Sequence, residues 1–224
     1  PDVLTEEVAD TTIGLLINTV RELYAAEKWL RDGSWVKKGN YPLSRLTLRG
    51  RSVGIFGMGR IGLAIARRVE AFGLPVAYHN RRRVEGLSYQ YHPTLKGLAG
   101  AVDTLICVVP GGASTEKAIN AEILSALGPN GVFVNIGRGS TVDEPALEAA
   151  LANGTIDPTK FDPSVKCDVI FFGSDRYDNS GDAQQGFWFL QNKIGLGTNS
   201  VGGGSGFTGV HKDGDVLILS DFSN

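Results

Sequence analysis

Three glycines form the stretch of this sequence best suited to chemistry. Gly57, Gly59 and Gly62 give the spacing G-x-G-x-x-G. They follow the short apolar run 53–56 and precede an amphipathic segment, which is the strand–turn–helix context that the motif requires. In such a turn the first glycine permits the bend, the second leaves room for a pyrophosphate, and the third lets the helix pack close to the sheet. The stretch therefore predicts a dinucleotide-binding turn.

A basic run lies about 20 residues further on, where sites of this kind contact the ribose. NAD-binding versions of the motif place an acidic residue there to bind the 2′-hydroxyl. Here the sequence is Asn80 followed by Arg81, Arg82 and Arg83, without a carboxylate. Arginines bind phosphate through planar, charge-assisted hydrogen bonds. A solvated basic turn is the alternative interpretation, but the position favours a 2′-phosphate and hence NADP(H) over NAD(H).

The elements that must position these residues alternate between strand and helix. The composition predicts a first helix at 5–32 and a polar loop at 34–50. Apolar runs then predict strands at 53–56, 76–78, 102–109 and 132–136, and helices at 61–72, 120–127 and 143–152. This alternation predicts an α/β fold, a doubly wound parallel sheet (Rossmann) that forms a first domain over residues 1–156.

The composition changes near residue 157. Residues 157–224 contain no glutamate and one alanine, but nine aspartates and 11 glycines. Strands are predicted at 169–172, 186–190 and 215–219, and turns at 178–182, 202–204 and 212–214. Aspartates are good calcium ligands, but the spacing misses the EF-hand pattern and Asp-Asn-Ser-Gly is ordinary turn sequence. We therefore predict a β-rich C-terminal segment of unknown function and no metal site.

Charge and composition exclude several other classes of function. The net charge of −2 gives no strong attraction to nucleic acid or to an anionic membrane. No apolar run reaches the ~20 residues of a membrane span, and no signal peptide is visible. Two cysteines give no disulfide framework, and Cys107 lies in an apolar run as a core residue. A cytoplasmic location is expected for the first domain.

Five groups of residues in the first domain recur together in one known family. They are VLTEEVAD at 3–10, GMGRIG at 57–62, NRR at 80–82, Val109-Pro110 with Thr115, and NIGRG at 135–139 followed by VDEPAL at 142–147. In these motifs the domain resembles the nucleotide-binding domain of D-2-hydroxyacid dehydrogenases, nearest the NADPH-using glyoxylate/hydroxypyruvate reductases. The resemblance covers residues 1–156, about two thirds of the chain.

The resemblance implies an oxidoreductase that reduces a small 2-oxoacid, such as glyoxylate or hydroxypyruvate, with hydride from NADP(H). Arg138 would hold the substrate carboxylate and polarise its carbonyl, since a guanidinium donates two parallel hydrogen bonds and stays charged. A homodimer is also implied. The cofactor contacts expected are Gly57, Gly59, Arg60, Ile61, Gly62, Asn80, Arg81, Arg82, Val109, Pro110, Thr115, Ile136 and Gly137, with the amides of residues 60 and 61 on the pyrophosphate.

The sequence departs from the family pattern after Ile156. The family continues there with a core strand, an acidic residue and a catalytic histidine paired with a glutamate. No glutamate follows Glu148, and His211, the only histidine beyond that point, lies in a turn-like sequence. The family's first substrate-domain segment is also not seen before residue 1. We therefore expect cofactor binding with little or no turnover, and a protease-sensitive junction near 157–160.

Two other hypotheses remain open on the sequence alone. The first is a dinucleotide-binding module without catalysis. The second is a binding protein whose function lies in the tail, with calcium or a glycan as ligand, because residues 175–182 and 211–215 faintly resemble β-rich modules of secreted bacterial proteins. The start at Pro1 favours a fragment or a processed form, and the junction leaves a natural fusion or a chimeric chain open.

Overall fold

The structure is a computed structural model that describes residues 4–44 and 46–156, together with four strands between 183 and 222. The chain divides into two compact units, Pro1–Phe161 and Asp162–Asn224. The first unit contains α1 (Leu4–Arg21), α2 (Leu23–Arg31), α3 (Ser34–Lys38), β1 (Val53–Phe56), α4 (Arg60–Ala71), β2 (Val76–His79), β3 (Gln90–Tyr91), α5 (Leu95–Ala99), β4 (Thr104–Cys107), α6 (Ala121–Leu127), β5 (Val132–Asn135) and α7 (Glu144–Ala152). None of the described helices is long and apolar enough to cross a membrane.

The centre of the first unit is a five-stranded parallel sheet in the order β3-β2-β1-β4-β5. All four residues of β1 are buried, as expected for a strand covered on both faces. Ile55 belongs to the core that α1 and α4 close on one face. On the other face Gly54 lies so near α5 that a Cβ there would be 3.0 Å from Leu98. The predicted Rossmann architecture is confirmed for this unit.

The register of the sheet aligns the carboxyl ends of four strands. Phe56, the last residue of β1, lies opposite His79 of β2 and Cys107 of β4. Cys107 in turn lies opposite Asn135, the last residue of β5. The loops that leave these four strands therefore start at one level, on one edge of the sheet. This is the edge at which open α/β sheets bind ligands.

A buried arginine joins the strands at the opposite edge. Arg51 is 6% exposed, and its Nε donates to the Thr104 hydroxyl at 2.8 Å. It also donates to the carbonyl of Asn130 at 2.7 Å and pairs with the Asp103 carboxylate at 3.1 Å. These bonds link the segment that enters β1 to the starts of β4 and β5. Arg51 therefore helps to set the register on which the aligned edge depends.

The single helix predicted at 5–32 is wrong, because the structure has two helices. Glu22 separates α1 from α2 with a left-handed backbone (φ 55°). The Tyr24 amide, which a continuous helix would pair with Val20, donates instead to the side-chain oxygen of Asn18 at 3.0 Å. Tyr41 donates to the Glu22 carboxylate at 2.8 Å and stabilises the bend. The predicted loop at 34–50 also begins with a short helix, α3.

The second unit is described as two antiparallel strand pairs. β6 (Ala183–Phe189) pairs with β9 (Val216–Phe222), and β7 (Gly195–Thr198) pairs with β8 (Ser205–Thr208). The first pair overlaps the strands predicted at 186–190 and 215–219. The predicted strand at 169–172, the three predicted turns, His211, the cleavage region 157–160 and the aspartates 175, 178, 182, 213 and 215 weighed as calcium ligands lie outside the described residues. The β-rich character of the segment therefore stays a prediction.

Candidate cofactor-binding site

The glycine-rich turn after β1 leaves an open space above the start of α4. Gly57 has φ 110°, and a Cβ there would lie 2.9 Å from the side chain of Val109. A Cβ on Gly62 would lie only 2.3 Å from the carbonyl oxygen of Gly57. At Gly59, by contrast, a Cβ would meet nothing within 4 Å. Two glycines are thus required by the fold itself, whereas the third borders the space that a ligand would fill.

The first turn of α4 presents N–H groups to this space. Gly59 caps the helix with extended backbone, and its carbonyl accepts from the Leu63 amide at 2.9 Å. The opening amides of a helix have no intrahelical acceptors, and the helix dipole makes this end positive. No acidic side chain lies in the first turn. The site is therefore suited to an anion such as a pyrophosphate.

The side chain of Asn80 forms hydrogen bonds with the glycine-rich turn. Its side-chain oxygen accepts from the Met58 amide at 2.6 Å, and its side-chain nitrogen donates to the Met58 carbonyl at 3.3 Å. The sequence predicted Asn80 as a cofactor contact. In the structure both ends of its amide group bind protein backbone. Asn80 thereby connects the end of β2 to the turn after β1.

The arginines follow Asn80 directly. Arg81, Arg82 and Arg83 are all exposed, and they begin two residues after the strand end at His79. They lie on the same edge of the sheet as the glycine-rich turn, since β1 and β2 end in register. A positive cluster is thus available beside the anion site at the start of α4.

The loop after β4 is closed by its own hydrogen bonds. Val109 is 8% exposed and packs against Gly57, whereas Pro110 is exposed. The Thr115 hydroxyl donates to the Pro110 carbonyl at 2.7 Å and approaches the Gly112 carbonyl at 3.2 Å. Thr115 therefore fixes the shape of this loop, a role that its prediction as a cofactor contact did not include.

A dense hydrogen-bond cluster holds the backbone of Arg138 after β5. The Arg138 carbonyl accepts from the Asn135 side chain at 3.1 Å, from the Thr141 hydroxyl at 2.6 Å and from the Thr141 amide at 3.1 Å. The oxygen of the Asn135 side chain accepts from the Gly137 amide at 3.0 Å. Asn135 is 6% exposed and Thr141 is fully buried. The backbone from which the Arg138 side chain projects is thus held by buried polar groups.

The side chain of Arg138 lies against the loop after β4. A Cβ on Gly111 would be 2.8 Å from Cγ of Arg138 and 3.4 Å from the Ser140 hydroxyl. On the other side, a Cβ on Gly137 would lie 2.6 Å from the Val109 carbonyl. The loops after β4 and β5 therefore touch, and the half-buried Arg138 lies at their junction. A guanidinium group that extends from this position can hold a carboxylate.

Cys107 is part of the core below the site. Its thiol is fully buried and lies 3.7 Å from the Thr141 hydroxyl. Burial raises the pKa of the thiol to about 11, although the contact with the Thr141 hydroxyl opposes this effect. The thiol therefore stays protonated near neutral pH and is a poor nucleophile. This agrees with the packing role expected from the sequence.

His79 and His92 support the end of β2. Nδ1 of His79 lies 2.8 Å from the His92 carbonyl, which fixes this nitrogen as the donor, and the ring stacks on Phe56 with centroids 5.6 Å apart. Neither histidine belongs to a group of three or more potential metal ligands among the described residues.

Sequence reasoning missed the buried residues that shape the loops. Asn135 had a visible signal, since a lone amide side chain in the apolar strand Val132–Ile136 needs hydrogen-bond partners. Thr141 had no such signal in the sequence, because its role depends on a turn that brings its hydroxyl and amide to the Arg138 carbonyl. Asn135 and Thr141 belong to the site through the groups that they hold in place.

Comparison with known proteins identifies the class to which this fold and site belong. The family model of the D-isomer specific 2-hydroxyacid dehydrogenase NAD-binding domain matches residues 13–165. The chain belongs to this family and contains its NAD(P)-binding domain. The match extends nine residues beyond the boundary predicted at 156.

Individual relatives agree with this assignment. The chain is 44% identical over 156 residues to a hydroxyphenylpyruvate reductase of Plectranthus scutellarioides, covering 70% of this chain and 49% of the relative. It is 42% identical over 162 residues to glyoxylate/hydroxypyruvate reductase A of Arabidopsis thaliana, covering 72% and 51%. The chain thus spans about half the length of the curated relatives it matches.

A solved structure supports the same fold. The NADPH-dependent glyoxylate/hydroxypyruvate reductase of Sinorhizobium meliloti, solved in complex with NADP and malonate, superposes with a TM-score of 0.69. Its sequence is 70% identical over the matched part, which covers 70% of this chain and 49% of that one.

The different surroundings of two glycines give a paired prediction. Gly62→Ala should lower the free energy of unfolding by about 2–3 kcal/mol, because the new Cβ collides with the Gly57 carbonyl. Gly59→Asp should leave the free energy of unfolding within about 0.5 kcal/mol of that of the unmodified chain. Asp is a good N-cap, and its charge is favourable at the positive end of the helix. The same Asp should weaken NADPH binding about a hundredfold, because it fills the space and repels the pyrophosphate.

Urea unfolding followed by circular dichroism and NADPH fluorescence titration measure the two effects. Gly59→Asn is the matched control, because it adds the same bulk without the charge and should weaken binding less. Tight NADPH binding by Gly59→Asp would show that the cofactor does not use this space.

Proposed function

We propose that this chain is the NADP(H)-binding part of a reductase that acts on a small 2-oxoacid such as glyoxylate or hydroxypyruvate. One observation carries the proposal. The aligned ends of β1, β2 and β5 bring an anion site, an arginine cluster and Arg138, whose backbone is held by hydrogen bonds, to one edge of one sheet. A dinucleotide bound along that edge would reach from the arginines to Arg138.

The cofactor preference is supported by the charge at the end of β2. Arg81 and Arg82 are exposed beside the turn that would bind the pyrophosphate. Guanidinium groups favour a 2′-phosphate, and the missing carboxylate removes both the usual partner of a 2′-hydroxyl and a source of repulsion. The similar Sinorhizobium meliloti enzyme is described as NADPH-dependent.

The proposed substrate class follows from the chemistry of Arg138. The two similar plant enzymes are named for hydroxyphenylpyruvate and for glyoxylate and hydroxypyruvate, which share a 2-oxo carboxylate and differ in the rest of the molecule. Bound NADPH would supply the hydride that reduces the carbonyl carbon. Arg138 would hold the carboxylate and draw electron density toward the carbonyl oxygen, where negative charge develops.

The arginine turn gives the direct test of cofactor preference. Replacement of Arg81 and Arg82 by alanine should weaken NADPH binding by at least about a hundredfold, because two charge-assisted contacts are lost and each is worth roughly 1.5–3 kcal/mol. NADH binding should change by less than about threefold, since a 2′-hydroxyl gains little from either side chain. Parallel fluorescence titrations at one fixed salt concentration measure both affinities.

Arg49→Ala is the control for loss of positive charge away from the site, with one charge removed against the two that the double replacement removes. Arg49 is exposed and lies four residues before β1, at the edge of the sheet opposite the proposed site. This variant should leave both affinities unchanged. Equal weakening of NADPH and NADH by the double replacement would contradict the proposed 2′-phosphate site.

The second test concerns turnover by the 224-residue chain. Reduction of a 2-oxoacid leaves an oxygen that must take a proton, and a positioned acid contributes about 10²–10⁴-fold to such a step. The resemblance implies a histidine–glutamate pair for this role, yet no glutamate follows Glu148. We expect the chain to bind NADPH but to reduce glyoxylate and hydroxypyruvate at only a trace of the rate of an intact family enzyme.

The decay of NADPH absorbance with either substrate near neutral pH, beside an intact family enzyme, measures this rate. Comparable rates would mean that another group, with His211 first to be tested, supplies the proton.

We further propose a homodimer formed through α2, α3 and the segment that follows. Five large apolar side chains are exposed between residues 23 and 43, and Val36 and Leu43 are 88% and 94% exposed. No residue of α2 is buried. A second copy that covered this surface would remove the apolar area from water.

Sedimentation equilibrium should give a dimer for the unmodified chain and a monomer for the variant Val36→Asp. Phe72→Asp places the same charge on an exposed apolar residue of another surface and should remain dimeric. A monomeric unmodified chain would refute the dimer without affecting the cofactor site.

A further inference from the structure

We propose that Tyr78 and Tyr91 are positioning residues that hold the arginine turn, residues 80–84, in the shape that binds a 2′-phosphate. Through this turn they would determine the selectivity for NADPH over NADH. The inference rests on the proposed function, since it specifies how the cofactor preference is built. Neither tyrosine needs to touch the cofactor.

Tyr78 holds the C-terminal end of the arginine turn. Its ring is fully buried in the core that α1 and α4 cover, so its position is fixed. Its hydroxyl accepts from the Val84 amide at 3.0 Å and donates to the Val84 carbonyl at 3.3 Å. One hydroxyl thus satisfies both backbone groups of Val84. The chain leaves β2 at His79 and returns to the core at Val84, five residues later. Arg81, Arg82 and Arg83 are the exposed residues of this short turn.

Tyr91 holds the other end of the turn. It lies opposite Tyr78 in the β2–β3 register, and the two rings pack with centroids 5.3 Å apart. Its hydroxyl donates to the Asn80 carbonyl at 3.2 Å. The residue before the arginines is therefore held by one tyrosine and the residue after them by the other.

Asn80 extends this arrangement to the pyrophosphate site. Its carbonyl accepts from Tyr91, while its side chain bonds to both backbone groups of Met58 in the glycine-rich turn. The two loops that would bind phosphate are therefore joined through one residue. Their separation is set by protein hydrogen bonds before any cofactor arrives.

Preorganisation of this kind matters most for long, exposed side chains. An arginine loses rotamer freedom when it binds a phosphate, and a backbone that also had to be ordered would add to that cost. Binding of a 2′-hydroxyl does not require these arginines to be ordered, so it does not have this entropic cost. Loosening the turn should therefore weaken NADPH binding and leave NADH binding almost unchanged.

The test is the removal of each hydroxyl alone. In Tyr91→Phe, which loses one hydrogen bond, the dissociation constant of NADPH should rise about three- to tenfold. In Tyr78→Phe, which loses both bonds to Val84, it should rise by at least as much. The dissociation constant of NADH should stay within about twofold. Tyr89→Phe is the matched control. Tyr89 lies two residues before Tyr91, and its hydroxyl donates to the Glu70 carboxylate at 2.8 Å instead of to the arginine turn. This variant should change neither affinity.

Hydrogen exchange of the Val84 amide provides a second readout. Its protection should fall in Tyr78→Phe, where the acceptor has been removed, and persist in Tyr89→Phe. Tyr91 is only half-buried, so the Tyr91→Phe titration tests the inference even where Tyr78→Phe fails to fold.

Equal weakening of NADPH and NADH in both variants would overturn the inference, since it would show only a general structural role. Unchanged affinities for both cofactors in both variants would also overturn it, while leaving the arginine site intact if the unmodified chain prefers NADPH. A chain without any preference for NADPH would overturn both this inference and the proposed cofactor preference.

Discussion

The alignment of four parallel strands is the constraint on which the site depends. Because β1, β2, β4 and β5 end at one level, the loops that follow them start side by side. A shift of one residue between two strands would move every loop residue and reverse the face of each side chain. The buried Arg51, which joins β1, β4 and the entry to β5 at the far edge, helps to hold this register. A residue remote from the candidate site therefore contributes to its geometry.

Buried and half-buried side chains then shape the loops where regular backbone pairing stops. Asn80 bonds to both backbone groups of Met58, and Asn135 bonds to Gly137 and Arg138. Both asparagines lie at or just after a strand end, where backbone groups lose their sheet partners and need others. The amide side chain supplies a donor and an acceptor at once. The fold thus offers a ligand loops whose backbone is already ordered, which lowers the entropy that binding must overcome.

The parts of the molecule predicted best from sequence are those with local signals. The glycine spacing identified the turn and α4, since Gly57 has a positive φ in the turn and a Cβ on Gly62 would meet the Gly57 carbonyl within the same motif. The break at Glu22 was missed because it depends on Asn18 and on Tyr41, which lies 19 residues away. The two-residue β3 was missed because so short a strand exists only through its pairing with β2. The roles of Asn80 and Thr115 were incomplete for the same reason, since their partners are set by the tertiary fold.

The central claim is that a 2′-phosphorylated dinucleotide lies along the aligned strand ends of the first unit. Amide chemical shifts of the ¹⁵N-labelled chain, recorded during titration with NADP⁺ and separately with NAD⁺, test this claim directly. We predict that both ligands shift the amides of residues 58–62, and that only NADP⁺ strongly shifts those of residues 80–84. Unchanged amides in both segments, with shifts confined to residues 183–222, would contradict the account and place binding in the second unit.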